Sequence, residues 1–211
     1  EESTRVLTEY AKKMESPAII IKKDDILNVN IGNKSIDFSF HCGYYNYVSL
    51  SLGTTALYQT ENASLALVAA GALGDKRISP KVIRQGLWQA RWPGRMEEAL
   101  PGIFLDGAHN EDGIAALLDT VRRDGCSGKR WILFGVVEDK RYDVMIREIA
   151  DSALFAGAAV ATLESDRSAS ADRLKTVWKQ YKEVPSVFFD NVQEAYLHLL
   201  KHRKKEDIIY I

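Results

Sequence analysis

Leu105-Asp106-Gly107-Ala108-His109-Asn110 decides how this sequence is read. It closes a stretch that opens at Trp92, and it begins on the last residue of the apolar triplet Ile103-Phe104-Leu105. An apolar triplet stopped by aspartate and glycine predicts a short buried strand. Residues 112–123 then place Ile114, Leu117, Leu118 and Val121 on one helical face, so the quoted residues are a turn from strand into helix. Gly107 and Ala108 are small and permit a tight turn with close ligand approach. Asn110 suits the helix N-cap. A carboxylate (Asp106), an imidazole (His109) and a row of free backbone N–H groups thus meet at one point. The free N–H groups and the helix dipole suit an anion, and a carboxylate at a strand end suits ribose hydroxyls or a cationic group. The competing reading is that Asp106 and His109 cap the turn, as polar residues there often do.

Downstream, strand and helix alternate. Strands are predicted over 131–137, 158–163, 187–189 and 208–211, and helices over 142–153, 170–181 and 192–204. Strands that are apolar on both faces and separated by helices predict an α/β fold, a largely parallel sheet with helices on both sides. Such sheets bind ligands at the carboxyl ends of their strands. Upstream the rhythm differs. A helix is predicted over 4–14, with Val6, Leu7, Tyr10 and Met14 on one face, and a short strand over Ala18-Ile19-Ile20-Ile21. Residues 26–31 and 35–40 alternate apolar and polar around a Gly32-Asn33-Lys34 turn, and 47–52 alternate again. The Ala- and Leu-rich 61–73 predicts a buried helix stopped by Gly74. Ser79-Pro80 starts another helix running to about Ala90, with Ser79 as cap and Pro80 at the first helical position. The boundary between the two parts falls near residues 91–93.

The bulk numbers are ordinary for a folded chain: 211 residues, 46% hydrophobic and 27% charged. A formal net charge of −1 gives no global field for nucleic acid or an anionic membrane, so neither is expected as a partner. No apolar run reaches the roughly 18 residues of a membrane span, and a cytoplasmic location is expected. Cys42 and Cys126 stand far apart in no metal-ligand spacing and are expected as reduced thiols. The chain starts Glu1-Glu2-Ser3 and stops in Ile208-Ile209-Tyr210-Ile211, a predicted core strand, so both termini are expected to be cut from a longer protein.

Other residues offer chemistry. Pro93 and Gly94 in Trp92-Pro93-Gly94-Arg95 fix a chain reversal that holds Arg95 out, where its planar fork suits a phosphate; the alternative is a surface arginine on a linker. Gln59, Glu61 and Asn62 open the helix of the first part, and the Asn62 amide offers the donor and acceptor that an adenine edge needs, or simply caps the helix. Asp139-Lys140 follows the 131–137 strand and so lies at the same sheet edge as Asp106, as ligand contacts or as a polar turn. Ser127-Gly128-Lys129 is not a phosphate loop, because no glycine stands five residues before Gly128. His198 and His202 share a helix face without the carboxylate of a zinc motif, in a basic helix end, and metal binding is not expected there.

Together these segments resemble folylpolyglutamate synthase, including the bifunctional dihydrofolate synthase form, within the Mur ligase superfamily. The resemblance is carried by Gln59-Thr60-Glu61-Asn62-Ala63, Gly86-Leu87, Trp92-Pro93-Gly94-Arg95, Leu105-Asp106-Gly107-Ala108-His109-Asn110 and Asp139-Lys140, in the family's order and at about its spacing. It implies a C-terminal Rossmann-like, mostly parallel sheet over 92–211, preceded over 1–91 by the distal part of an ATP-binding central domain. It implies ATP, Mg2+, L-glutamate and a folate or pterin substrate, an acyl phosphate on the acceptor carboxylate, and attack on it by the glutamate amine. By resemblance Asn62 contacts adenine, Arg95 the phosphates, Asp106 the ribose region and, with His109, the glutamate, while Asn110, Asp139 and Lys140 line the site. Asn62, Arg95 and the Asp106 cluster would form one wall of a cleft. Glu111 stands where the family commonly has proline, and a first-turn glutamate is compatible with the helix. The glycine-rich phosphate loop, the metal ligands and the pterin pocket are expected N-terminal to this chain. No catalytic residue is therefore expected within it, the chain alone is expected inactive, and the whole enzyme is expected to be a monomer. The rivals are another Mur-type amino-acid ligase and a non-catalytic nucleotide-binding module.

Overall fold

Alternation in residues 26–52 produces three antiparallel strands. The computed structural model describes residues 2–32 and 34–211. Its chain divides into two units, Glu1–Gly53 with Tyr58–Ala90, and Thr54–Leu57 with Arg91–Ile211.

In the first unit, β1 (Ile26–Ile31), β2 (Ile36–His41) and β3 (Asn46–Leu52) pair in that order, all antiparallel. Period-two patterning decides which face is covered: Ile36, Phe38 and Phe40 of β2 are buried, and Asp37 and His41 between and beyond them are exposed. Helices α2 (Gln59–Ala72) and α3 (Pro80–Gln89) cover that face. Phe38, Phe40, Leu50 and Leu52 pack there with Ala63, Leu67 and Val68 of α2, each large side chain contributing about 1.5–3 kcal/mol. Ser79 caps α3 by accepting from the Val82 N–H, with Pro80 in the first turn.

Two expectations for this unit are corrected. Ala18–Ile21 forms no strand; Ile19 and Ile21 pack against the core without a ladder partner. The helix over 61–73 begins at Gln59 and is buried along one side only, with Leu65 58% exposed. Helix α1 (Glu2–Lys13) forms, yet Val6, Leu7 and Tyr10 on it, and Met14 just beyond it, are exposed. Of the predicted Gly32-Asn33-Lys34 turn, Asn33 lies outside the described residues, and the Gly32 N–H donates to the Ser35 carbonyl at 2.8 Å.

The second unit is built on a six-stranded sheet. Its elements are β4 (Glu97–Leu100), β5 (Ile103–Leu105), α4 (Glu111–Val121), β6 (Arg130–Phe134), α5 (Tyr142–Asp151), β7 (Gly157–Ala161), α6 (Ala171–Trp178), β8 (Ser186–Phe189), α7 (Val192–His202) and β9 (Ile208–Tyr210). The strand order is β4-β5-β9-β6-β7-β8. Every pairing is parallel except β4 with β5, so β9 is a central strand. On one face Ala195 and Leu199 of α7 pack on Leu133, Ala159, Ala161 and Ile209. On the other face Phe134 meets Trp178 of α6 edge-on at 5.9 Å, and Phe155 meets Tyr210. Helices therefore cover both faces of a mostly parallel α/β sheet. Sequence periodicity missed β4, and β6 stops at Phe134, three residues short of the expected end; Val137 forms an isolated bridge to Ser168 instead.

Acidic residues lock the amino ends of the central strands. Asp124 is paired with Arg130 and accepts from the Tyr210 hydroxyl and the Cys126 N–H. Asp207, 4% exposed, accepts from the N–H groups of Lys129 (2.8 Å) and Lys204 (3.0 Å) and from Trp131 Nε1 (3.2 Å). Lys129 of the Ser127-Gly128-Lys129 segment is thus part of a structural tie at the end of the sheet away from Asp106.

Candidate active site

The β4–β5 hairpin brings the two motifs of the second unit together. Its register pairs Glu97 with Leu105, so the residues before Glu97 run back past Asp106 and Gly107. Gly94 turns the chain at φ +66° and its N–H donates to Glu97 Oε2 at 2.8 Å. The Gly107 N–H donates to the Gly94 carbonyl at 2.6 Å. The Asp106 carboxylate accepts from Met96 N–H on Oδ2 (2.9 Å) and from Ala108 N–H on Oδ1 (3.0 Å). Met96 is held at φ +48°, a left-handed conformation unusual for a side-chain-bearing residue, and its side chain is buried at 5% exposure. Burial and the bond to Asp106 oppose that strain, and together they fix the backbone beside Arg95.

Arg95 is half-buried against Gly107. A Cβ on Gly107 would stand 3.3 Å from the Gly94 carbonyl oxygen and 3.4 Å from Arg95 Nη1, tight enough to push the guanidinium. A side chain at 107 would therefore crowd this approach. His109 is exposed, and its Nδ1 lies 2.8 Å from the Gly107 carbonyl. A carbonyl only accepts, so in the neutral ring Nδ1 carries the proton and Nε2 offers a lone pair. Asn110 caps α4 through Oδ1, which accepts from Gly113 N–H at 2.8 Å. Asp106 and Ala108 also line a cavity of about 250 Å³, together with Ile114, Gly135, Leu163 and Ile211 among others. The carboxylate, the guanidinium and the imidazole thus gather at the carboxyl ends of the strands, and the turn-capping bonds and the open cavity coexist there.

The remaining candidates are placed as follows. Asp139 is exposed and grips Arg167 with both carboxylate oxygens, at 2.8 and 2.9 Å; the arginine's hydrogen bonds hold its carboxyl below the usual carboxylate range. Glu138 pairs with Arg173, and its N–H donates to the Arg167 carbonyl, so the loop carrying Lys140 is tied to the loop after β7. Asn62 lies in the first unit on α2, exposed, where its Nδ2 donates to Gln59 Oε1 at 2.9 Å. Glu61 pairs with Lys23 at 3.5 Å. His198 and His202 lie with ring centroids 4.3 Å apart, and His202 Nδ1 contacts the His198 carbonyl. Burial, then His202 and Lys201, push the His198 pKa down. Among the described residues no group of three or more His, Cys, Asp or Glu is placed to hold a metal ion, and no helix is long and apolar enough to cross a membrane. Sequence reading missed Arg141, whose Nε lies 3.0 Å from Glu111 Oε1 beside the strand-end turn; no local signal marks a pair formed across two helices.

The family model described as Mur ligase, glutamate ligase domain matches residues 94–211, from the Gly94 turn to the end of the central strand. The chain belongs to the Mur ligase family. Among relatives of this Mur ligase chain, the dihydrofolate synthase/folylpolyglutamate synthase of Bacillus subtilis (strain 168) is 33% identical over 117 residues, 53% of this chain and 27% of that protein. The folylpolyglutamate synthase of Mycobacterium tuberculosis, solved with ADP and AMPPCP, matches 98% of this chain at TM-score 0.85 and 19% identity. A bifunctional folylpolyglutamate synthase/dihydrofolate synthase solved with Mn, AMPPNP and L-glutamate matches 98% of it at TM-score 0.78 and 21% identity. At those identities the solved structures speak for the fold. The Mur ligase chain spans about half of those solved chains, 49% and 47% respectively.

Proposed function

We propose that the protein carrying this chain is an ATP-dependent carbon–nitrogen ligase of the cytoplasm that adds L-glutamate to a folate or folate-precursor carboxylate. Residues 1–91 are then the distal part of its ATP-binding central domain and 92–211 its glutamate-ligase domain. The observation that carries the reading is the direct bonding of the Pro93-Gly94-Arg95 turn to Asp106-Gly107 beside an open cavity at the carboxyl ends of the strands. A nucleotide fits the side chains gathered there: a half-buried guanidinium for phosphate and a carboxylate facing the cavity for ribose hydroxyls.

In this reading the acceptor carboxylate oxygen bonds to the γ-phosphorus of ATP as the bond to ADP breaks. The glutamate amine then bonds to the acyl carbon, phosphate leaves, and the amine gives up a proton. Arg95 meets the phosphate charge, held by Gly107 and the Met96–Asp106 bond. Asp106 serves the ribose region and the glutamate site. His109 Nε2 accepts from the glutamate ammonium. Asn62 reads the adenine edge, and Asn110, Lys140 and the Arg167-bound Asp139 frame the site. Mg2+ bound to ATP would neutralise phosphate charge; no residue of this chain is assigned to it and no step is derived through it.

The test uses the full-length protein. ADP release is expected only when ATP, L-glutamate and either tetrahydrofolate or dihydropteroate are all present. Release with a muramyl-peptide acceptor and none with the pterins would transfer the chain to a peptidoglycan-type ligase, and no release with any acceptor would leave a nucleotide-binding module.

A further inference from the structure

Glu111 opens α4 directly after Asn110, and its side chain is only 33% exposed. Its Oε1 is fully buried with no hydrogen-bond partner among the described residues. What compensates this charge is the cation of Arg141, whose Nε lies 3.0 Å away. Arg141 immediately precedes α5, which packs beside α4. The pair therefore joins the starts of the two helices that leave β5 and β6, at the carboxyl ends of the strands. Arg141 itself is 73% exposed. A guanidinium has five N–H donors in a fixed fork. Here the Nε side lies against Glu111, whose Oε1 is buried, and the rest of the side chain stays open.

The surrounding charge selects what this open edge can take. Glu111 and Asp112 lie in the first turn of α4, Asp143 lies in the first turn of α5, and Glu138 and Asp139 lie in the preceding loop. Lys140 adds one cation. With Glu138 and Asp139 held by Arg173 and Arg167, it is Asp112 and Asp143 that disfavour a multiply charged phosphate chain at this edge. A single carboxylate borne by a molecule that also carries an ammonium group is not disfavoured, because the acidic residues favour the ammonium while Arg141 grips the carboxylate bidentately.

We propose that Arg141 is the residue that recognises the side-chain carboxylate of the amino acid being added, with Glu111 as the positioning residue that aims it. The proposal rests on the ligase reading above. It assigns a discriminating role: an acidic amino acid engages the fork, and its amide counterpart leaves the guanidinium without an anion.

The full-length protein and its Arg141→Ala, Arg141→Lys and Glu111→Gln variants are compared with L-glutamate and L-glutamine as amine donors. Arg141→Ala is expected to raise KM for L-glutamate about ten- to hundredfold, the loss of a charge-assisted hydrogen bond. KM for ATP should stay unchanged, while the unfolding midpoint should fall modestly because the buried Oε1 of Glu111 loses its cation. The preference for glutamate over glutamine should collapse, Arg141→Lys should restore part of it, and Glu111→Gln should weaken it less than Arg141→Ala. A KM for L-glutamate that moves less than about threefold, or one that moves together with KM for ATP, overturns the proposal. Titration calorimetry with L-glutamate alone gives a readout without turnover. Weaker binding by Arg141→Ala than by the wild-type protein supports the assignment even if no folate acceptor is turned over, in which case it is the ligase reading that fails. Equal binding by both overturns the assignment.

Discussion

At the amino ends of the central strands, Asp124 and Asp207 are enclosed by donors from Arg130, Tyr210, Trp131 and three backbone N–H groups. At the carboxyl ends, Asp106 accepts two backbone N–H groups and still lines an open cavity, with His109 and the partly buried Arg95 nearby. Burial acts to raise the carboxyl pKa of Asp124 and Asp207, and the donors around them override it and hold both below the ordinary range. Burial, reinforced by Asp124, pushes the Tyr210 hydroxyl up, so it remains a donor. One residue type thus does two jobs on one sheet. Where its lone pairs are filled by the protein it closes the fold, and where the surrounding groups face a cavity it prepares a ligand site.

The largest expected effect tests the closed end. Asp207→Ala leaves two backbone N–H groups and the Trp131 indole without an acceptor, and should destabilise by about 4 kcal/mol in urea unfolding, with Asp124→Ala close behind at about 3 kcal/mol. A loss below about 1 kcal/mol for both would end the contrast. The open end should behave oppositely. Arg95→Ala in the full-length protein is expected to lower kcat/KM about a hundredfold with an unfolding midpoint close to wild type. A third check uses pH. Asp124 and Asp207 have depressed pKa values in the fold, so their stabilisation is complete above the unfolded carboxylate value of about 3.9 and is lost as pH falls through the folded values. The urea midpoint should therefore drop steeply below about pH 4, and Asp124→Asn should flatten that drop; parallel curves would show that other carboxylates carry it. The smallest effect belongs to Asp139→Asn. Its ion pair with Arg167 is solvent-exposed, so the unfolding midpoint should not move measurably at low or high salt.

What was legible in the sequence follows the range of the interactions. Ile103–Leu105, its Asp106-Gly107 turn and the buried face of α4 are local patterns, and the structure has them where the spacing puts them. β4 was hidden because Glu97-Glu98-Ala99-Leu100 is an exposed edge strand with charged residues and no alternating face. That strand is what aligns Arg95 with Gly107, so the pairing of the two motifs could be recognised by resemblance but not by periodicity. Ala18–Ile21 erred the other way: Ile19 and Ile21 pack against the core while Ala18 and Ile20 stay exposed, and the run joins no strand among the described residues. Thr54–Leu57 belong to the second unit although they follow β3, with the Leu57 N–H donating to Thr120 Oγ1 on α4 at 3.2 Å. The Asp124–Tyr210 bond likewise spans a separation no window in the sequence can see.

The place of β9 has a consequence for biosynthesis. Ile208–Tyr210 fill the slot between β5 and β6, so as the polypeptide leaves the ribosome the halves of the sheet stand unjoined until these residues have emerged. Until then the facing edges of β5 and β6 present unpaired backbone groups that another nascent chain can occupy. Arrival of β9 closes both edges in one event and delivers Tyr210 to Asp124 and Asp207 to Trp131 with it. A ribosome-stalled series lengthened through residue 210 should accordingly become protease-resistant in a single late step.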